Sequence, residues 1–107
     1  MIFTDAITQL PYPIPHSCYP NCGVNGANEV IAIKKIEPGE PLSVDYSTLF
    51  TGSESIMNCR CGHVGCRGKI RGFNFLPVLF QDFYLLNNAV CRDVLASLNL
   101  NSVKCDL

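Results

Sequence analysis

The feature that constrains this chain most is a cluster of three cysteines, Cys59, Cys61 and Cys66, spaced in the pattern C-x-C-x4-C. Gly62 and Gly65 lie between them and allow the backbone to fold back, so that the three sulfur atoms converge. Structural zinc sites are tetrahedral and use Cys or His ligands. The cluster therefore predicts a zinc site that takes its fourth ligand from elsewhere in the chain.

The spacing alone leaves the fourth ligand open. Candidates are the remaining thiols and the local histidine: Cys18, Cys22, Cys91, Cys105 and His63. A histidine in a glycine-containing loop more often faces solvent, which disfavours His63. The alternatives to a metal site are a disulfide framework or a set of buried, unligated thiols. Disulfides are disfavoured because seven is an odd number of cysteines and the N-terminal sequence lacks the pattern of a signal peptide.

Composition excludes several classes of protein. The chain has 107 residues, of which 48% are hydrophobic and 16% charged, so we expect at most one globular domain rather than a disordered segment. The net charge is -1 and the eight basic residues are spread along the chain, which argues against direct nucleic-acid binding. No apolar run approaches the roughly 20 residues that span a bilayer. We therefore expect an intracellular protein without a membrane partner, cytoplasmic or, in a eukaryote, nuclear.

The local pattern predicts short strands in the first half of the chain. Residues 1–15 are expected to be irregular because three prolines remove amide donors there. A hairpin is predicted from Val24 and residues 29–36, which flank a connection rich in residues that tolerate positive φ. Apolar and polar residues alternate over residues 42–46, which predicts another strand.

The second half of the chain predicts helices. The segment Pro77–Asn88 carries large apolar residues at three- and four-residue spacings, and Pro77 suits the first turn of a helix. A second short helix is predicted over Ala89–Leu98. The tail Asn99–Leu107 is expected to be frayed.

Three segments, in chain order, resemble the motifs of SET-domain protein lysine methyltransferases. HSCYPN at residues 16–21 resembles the N-H-S-C-x-P-N motif, and GEPLSVDY at residues 39–46 resembles the G-E-x-L-x-x-D-Y motif. The cysteine cluster, with the Arg67-Gly68 that follows it, is similar to the post-SET zinc motif. The continuation GFNFLPVLFQDFYLL resembles the tail of short, bacterial-type SET proteins.

This resemblance implies a mainly β, partial SET-domain fold of the β-clip-like kind, with a zinc-bound post-SET segment and short C-terminal helices. The implied layout has four parts. These are an irregular segment at residues 1–15, the C-terminal half of a SET domain at 16–58, the post-SET zinc motif at 59–72 and a helical tail at 73–107.

The resemblance also completes the metal site. The family's fourth zinc ligand corresponds to Cys18, which would join Cys59, Cys61 and Cys66 on one structural zinc and leave Cys22 as a spare thiol.

Three further residues acquire roles from the resemblance. Tyr46 corresponds to the catalytic tyrosine, and His16 corresponds to a residue that contacts the cofactor. Val44 occupies a substrate-channel position that is usually aromatic, which suggests a roomier lysine channel. Without the resemblance, Tyr46 would be interpreted as a strand tyrosine with its ring in the core, and His16 as a histidine that bonds a loop.

The activity implied is S-adenosylmethionine-dependent methylation of a lysine on a protein, histone-like substrate. An uncharged lysine amine attacks the methyl carbon while the sulfonium centre loses its charge, so the protein mainly has to align the reactants. The alternative function is a non-catalytic, zinc-stabilised protein-interaction module derived from a SET domain.

The chain departs from the family pattern at two places. Pro15 replaces an asparagine that helps to hold the amino-acid end of the cofactor, and a proline side chain cannot donate that hydrogen bond. No glycine-rich G-x-G segment precedes His16. We therefore expect an incomplete domain that alone binds cofactor weakly and transfers no methyl groups. Unpaired strand edges would favour completion by association into a homodimer.

Overall fold

Short strands and short helices make up the part of the chain that the computed structural model describes, which is the backbone of residues 2–4 and residues 14–98. The predicted tail at 99–107 and the thiol Cys105 lie outside these described residues. Within them, no helix has the length and apolar character needed to cross a membrane. The mainly β architecture with few short helices agrees with the predicted fold class.

A three-stranded antiparallel sheet contains the predicted hairpin. Its strands are β1 (Ile2–Thr4), β2 (Cys22–Val24) and β3 (Val30–Ala32), in the spatial order β1-β3-β2. The hairpin pairs β2 with β3 over their whole length, so this prediction is confirmed.

The hairpin turn is organised by Asn25. Its side-chain Oδ1 accepts hydrogen bonds from the amides of Ala27 and Glu29, both at 2.9 Å. Asn28 adopts a φ of 59°, a left-handed conformation that asparagine tolerates better than most residues. The polar residues of the connection therefore supply both the bonds and the conformation of the turn.

The first strand shows that residues 1–15 are not irregular throughout. Ile2 pairs with Ile31 of β3 in an antiparallel register. The expectation of irregular structure was based on the prolines at 11, 13 and 15, which all follow this strand and do not interrupt its hydrogen bonds.

The prediction of a strand over residues 42–46 is wrong. Val44 forms a single parallel bridge with His16, in which the amide of Val44 donates to the carbonyl of Pro15 at 3.1 Å. The ladder does not extend because Pro15 has no amide hydrogen and because a 3-10 helix begins directly afterwards, at Tyr46–Thr48. The chain is extended here, but Tyr46 opens a turn.

A second, two-stranded sheet frames the cysteine cluster. Strands β4 (Met57–Asn58) and β5 (Lys69–Ile70) pair antiparallel, with Met57 opposite Ile70. The two ends of the segment between these strands therefore lie side by side, because Asn58 pairs with Lys69. This segment carries Cys59, Cys61 and Cys66.

The C-terminal part is helical, as predicted. A 3-10 helix at Phe73–Phe75 precedes helix α1 (Val78–Leu86), and residues 92–98 form helix α2. Helix α1 begins directly after Pro77, whose fixed φ suits the start of a helix.

The main core lies between the three-stranded sheet and the C-terminal helices. Its buried side chains include Ile14, Val24, Val30, Val44, Phe73, Tyr84, Val90 and Val94. A Cβ atom placed on Gly23 would lie 2.5 Å from the Cβ of Ala89. The sheet backbone at Gly23 therefore packs directly against the methyl group of Ala89. A smaller cluster surrounds Cys18, Cys59 and Ile70, next to the cysteine-rich segment.

Candidate functional site

The four cysteines proposed as zinc ligands converge in space. The Sγ atoms of Cys18, Cys59, Cys61 and Cys66 all lie within 4.8 Å of one another, and those of Cys18 and Cys59 are 3.8 Å apart. A tetrahedron of sulfurs with a Zn–S distance of about 2.3 Å has edges of about 3.8 Å. The four thiols therefore have the chemistry and the spacing of a group that could hold zinc.

Backbone conformation brings the sulfurs together. Gly62 and Gly68 have φ angles of 84° and 75°, in the left-handed region that favours glycine. Gly65, the other glycine expected to reverse the chain, has no positive φ. Cys18 joins the cluster from 41 positions before Cys59 in the chain, and its sulfur accepts a hydrogen bond from the amide of Arg67 at 3.4 Å.

The other candidate ligands lie elsewhere. Cys22 is buried in the main core, and the thiol of Cys91 donates to the carbonyl of Leu49 at 3.7 Å. His63 is exposed, with its ring 5.0 Å from that of Tyr19, as expected for a histidine that faces solvent. Among the residues that the structure describes, the cluster comprises four thiols and no imidazole.

Without metal, the thiols of the cluster differ in acidity. Burial raises the pKa of Cys59 to about 12 and also raises the pKa of Cys18. The pKa of Cys61 falls to about 6, because its sulfur accepts hydrogen bonds from the backbone amides of His63 and Cys18. A metal ion must therefore displace protons from the buried thiols, while Cys61 is already a thiolate at neutral pH.

Tyr46 is fixed by hydrogen bonds of both its backbone amide and its side-chain hydroxyl. Its hydroxyl donates to the carbonyl of Ile14 at 2.6 Å, and its amide donates to Nδ1 of His16 at 3.0 Å. The rings of Tyr46 and His16 are 5.3 Å apart in an edge-to-face arrangement. Asp45 caps the 3-10 helix that Tyr46 begins, since its Oδ1 accepts the amide of Ser47 at 3.0 Å. The structure therefore places Tyr46 at a constrained turn, where the sequence pattern had predicted a strand.

His16 lies between the cysteine cluster and Tyr46. Its side chain is only 1% exposed, and burial lowers the pKa of the imidazole. Because Nδ1 accepts a hydrogen bond, the proton of the neutral ring lies on Nε2, which is 3.5 Å from Sγ of Cys18. Both ring nitrogens are therefore engaged within the protein. The cofactor contact assigned to His16 stays a prediction.

A buried carboxylate that the sequence did not single out lies beside Tyr46. The side chain of Asp45 is fully buried, and its Oδ1 lies 2.6 Å from Nη2 of Arg67. Its Oδ2 accepts a hydrogen bond of 2.7 Å from the hydroxyl of Tyr84. Asp45 had the polar position of an alternating pattern, which indicates a solvent-facing side chain. No local signal in the sequence indicates its partners, because Arg67 and Tyr84 lie 22 and 39 positions further along the chain.

Two further motif residues have defined places. Val44 is completely buried in the main core, and its assignment to a lysine channel stays a prediction. Asn21, the last residue of HSCYPN, is also buried, and its Nδ2 donates to Glu40 and to the carbonyl of Pro41, both at 2.9 Å. The segments that carry the first two motifs are therefore bonded to each other.

Comparison with known proteins identifies a domain in the first half of the chain. The family model of the SET domain matches residues 8–47. That range contains the loop around His16 and ends one residue after Tyr46, and the cysteine-rich segment follows it.

Relatives with similar sequences carry related names. "Histone-lysine N-methyltransferase ash1" of Drosophila melanogaster is 43% identical over 67 residues, which are 55% of this chain and 3% of that protein. "Histone-lysine N-methyltransferase ASHR3" of Arabidopsis thaliana is 42% identical over 62 residues, 51% of this chain and 12% of that protein. "Histone H3-lysine(4) N-trimethyltransferase ATX1" of Arabidopsis thaliana is 39% identical over 64 residues, 53% of this chain and 6% of that protein. The chain therefore spans only a small fraction of the length of these relatives.

Proposed function

We propose that this chain, whose sequence is similar to SET-domain lysine methyltransferases, forms the tyrosine-bearing, zinc-stabilised part of a protein lysine N-methyltransferase. The reaction proposed is transfer of a methyl group from S-adenosylmethionine to a lysine of a protein, histone-like substrate. The proposed location is intracellular, where such a substrate and the cofactor are found together.

One observation carries the proposal. The amide of Tyr46 bonds to one nitrogen of His16, and the other nitrogen of that ring faces the sulfur of Cys18. The histidine and the zinc ligand come from the first of the three motifs that resemble this family, and the tyrosine comes from the second. The ring of Tyr46 also packs edge-to-face on the ring of His16, with their centroids 5.3 Å apart, so the tyrosine side chain itself contacts this histidine.

The proposed zinc ligands are Cys18, Cys59, Cys61 and Cys66. Four thiolates close the coordination shell of the metal, so its role would be structural rather than catalytic. The ion would fix the cysteine-rich segment to the loop that carries His16. It would also make the sulfur of Cys18 a better acceptor for the Nε2 proton of His16, which supports the tautomer that Tyr46 requires.

The role proposed for this chain in the reaction is to align the lysine amine with the methyl group of S-adenosylmethionine. When bound, S-adenosylmethionine supplies the methyl group on a positively charged sulfonium. The hydroxyl proton of Tyr46 is donated to the carbonyl of Ile14, which leaves the lone pairs of the phenolic oxygen free. That oxygen is able to accept a hydrogen bond from the lysine amine and to orient it toward the methyl carbon.

The residues present fit a cofactor contact through the backbone of His16. In the parallel bridge, the bonds to Val44 are made by Pro15 and Ser17 on either side of His16. The amide and carbonyl of His16 point to the opposite side of the chain, and among the described residues they take part in no backbone hydrogen bond. They could therefore bind the polar groups of a ligand, whereas the ring could not.

A non-catalytic interaction module is the second candidate. It is favoured by helix α1, on which Leu79 and Leu86 are 80% and 82% exposed, an unusual exposure for large apolar side chains. Such a surface suits a protein partner, and a homodimer is one form that the partner could take. This function needs no methyl transfer.

The experiment that separates the two candidates is a methyl-transfer assay with labelled cofactor and core histones. It is run on this chain and on this chain joined to the amino-terminal SET segment of a relative. We expect Tyr46→Phe to lower transfer at least about tenfold, or ~1.4 kcal/mol of barrier, with little effect on folding.

Tyr19→Phe is the matched control, because it removes the same hydroxyl from an exposed ring. Unchanged turnover in folded Tyr46→Phe protein would remove Tyr46 from the mechanism. Absence of transfer in both parent proteins would favour the interaction module.

A further inference from the structure

A single buried carboxylate connects three parts of the chain. Asp45 precedes Tyr46, and it accepts hydrogen bonds from Ser47 in the turn, from Arg67 after the cysteine cluster and from Tyr84 in helix α1. Arg67 also donates to the hydroxyl of Ser47 at 3.0 Å. These bonds determine how the carboxylate is oriented, and this orientation caps the turn that Tyr46 opens.

Helix α1 contributes to this network through one residue. Tyr84 is the only residue of α1 that is fully buried, with 3% of its surface exposed. Burial, and then the negative charge of Asp45, raise the pKa of its hydroxyl, so Tyr84 keeps its proton and acts as a donor. The helix is therefore attached to the turn by a polar contact at its most buried point.

We propose that Tyr84 and Arg67 are positioning residues for Tyr46, and that through them helix α1 and the cysteine-rich segment hold the turn in its working geometry. The reaction in question is the methyl transfer proposed above, on which this inference rests. Neither residue contacts the hydroxyl of Tyr46. Each acts through Asp45, whose Oδ1 caps Ser47 directly after Tyr46.

The geometry indicates what happens when the Tyr84 hydroxyl is removed. Nη1 of Arg67 is buried and has no hydrogen-bond partner among the described residues. A carboxylate released from Tyr84 would gain by rotating to accept from both Nη1 and Nη2, since arginine and carboxylate prefer a two-point contact. That rotation would draw Oδ1 away from the amide of Ser47. The turn would lose its cap while the ion pair survived.

The test uses Tyr84→Phe in the zinc-loaded chain, with Tyr19→Phe as the matched control. Hydrogen exchange resolved by NMR measures each amide separately. We expect the Ser47 amide to exchange at least about fivefold faster in Tyr84→Phe, with shifted amide signals for Tyr46 and shifted ring signals for His16. The core amides of β2 and β3 should keep their rates, and Tyr19→Phe should match the parent.

Arg67→Lys is the second variant, because lysine keeps the charge but cannot hold Asp45 and Ser47 in the same planar geometry. It should speed exchange at Ser47 in the same way. The proposal is overturned if Ser47, Tyr46 and His16 are unchanged in both variants. It is also overturned if exchange rises equally in the turn, the sheet and α1, because that result would mean general loss of stability.

The activity measurement keeps this inference distinct from the proposed function. In the joined protein, Tyr84→Phe should lower kcat about threefold to tenfold and leave the KM for the cofactor unchanged, since the turn bears the reacting tyrosine. A rise in KM at constant kcat would overturn the positioning role. If the parent transfers no methyl groups, the proposed function fails, but the exchange rates still decide whether Tyr84 and Arg67 hold the turn.

Discussion

The sulfur atoms of Cys18 and Cys59 lie 3.8 Å apart, although the two residues are 41 positions apart in the chain. Closing a loop of this length costs about 3 kcal/mol of chain entropy beyond a constant term. Structural zinc binding in small domains supplies roughly 10–16 kcal/mol at neutral pH, which exceeds that cost. A metal at this site would therefore determine whether the cysteine-rich segment is attached to the rest of the domain.

Substitution of single cysteines should identify the fourth ligand. We expect one zinc per chain in the parent, measured by elemental analysis, and a marked loss of affinity in Cys18→Ser, because three thiolates leave the coordination shell open. Cys22→Ser is the matched control, since that thiol is buried in the main core. Full occupancy at unchanged affinity in Cys18→Ser would show that another residue completes the site.

Removal of zinc should loosen one region of the chain more than the other. We expect amides of residues 48–71 to lose protection from hydrogen exchange when a chelator is added, because the metal joins this segment to Cys18. The β2–β3 hairpin should change less, since it has its own ladder of backbone bonds. Equal loss of protection in both regions would mean that the metal holds the whole fold.

Zinc affinity should rise with pH. The folded-state pKa of Cys59 is raised to about 12, so zinc must displace its proton throughout the neutral range. The pKa of Cys61 is lowered to about 6, so its thiolate is present above that value and is lost as the pH falls through it. We expect the apparent affinity to rise about tenfold or more per pH unit between roughly pH 6 and 8. Competition with a coloured chelator measures this, and a flat profile would contradict the assigned ligands.

The buried ion pair should matter far more for stability than the exposed one. Asp45→Asn leaves the charge of Arg67 without its partner, and we expect it to lower the free energy of unfolding by about 3 kcal/mol or more. Lys35→Met breaks the pair with Glu37, whose side chains are 86% and 64% exposed, and should cost less than ~1 kcal/mol. Urea denaturation of the zinc-loaded proteins gives both values. Similar costs would show that burial of Asp45 does not strengthen its pairing.

Local sequence patterns were sufficient to predict those elements whose hydrogen bonds join residues close together in the chain. The hairpin follows from a run of turn-forming residues, and helix α1 from apolar spacing after Pro77. The three clustered cysteines could also be recognised from their spacing. Cys18 could not be chosen from spacing, because its neighbours in the cluster are more than forty residues away along the chain.

The network around Asp45 was not predictable for the same reason. Tyr84 fitted the apolar face of a helix, and nothing local indicates that its hydroxyl finds a partner 39 positions earlier. Alternation over residues 42–46 predicted a strand, in which the polar Asp45 would face solvent. Asp45 instead caps the 3-10 helix at Tyr46–Thr48 and is buried, where its carboxylate is bonded by Arg67 and Tyr84.

The contact between Gly23 and Ala89 has a consequence for how this fold can diverge. Because a Cβ on Gly23 would lie 2.5 Å from the methyl carbon of Ala89, well inside van der Waals contact, a larger residue at either position must push the C-terminal segment away from the sheet. A change at one position becomes tolerable only when the other is reduced. Across related sequences that keep both elements, we therefore expect the combined volume of positions 23 and 89 to stay nearly constant while the individual residues vary, which is a covariation that an alignment could detect.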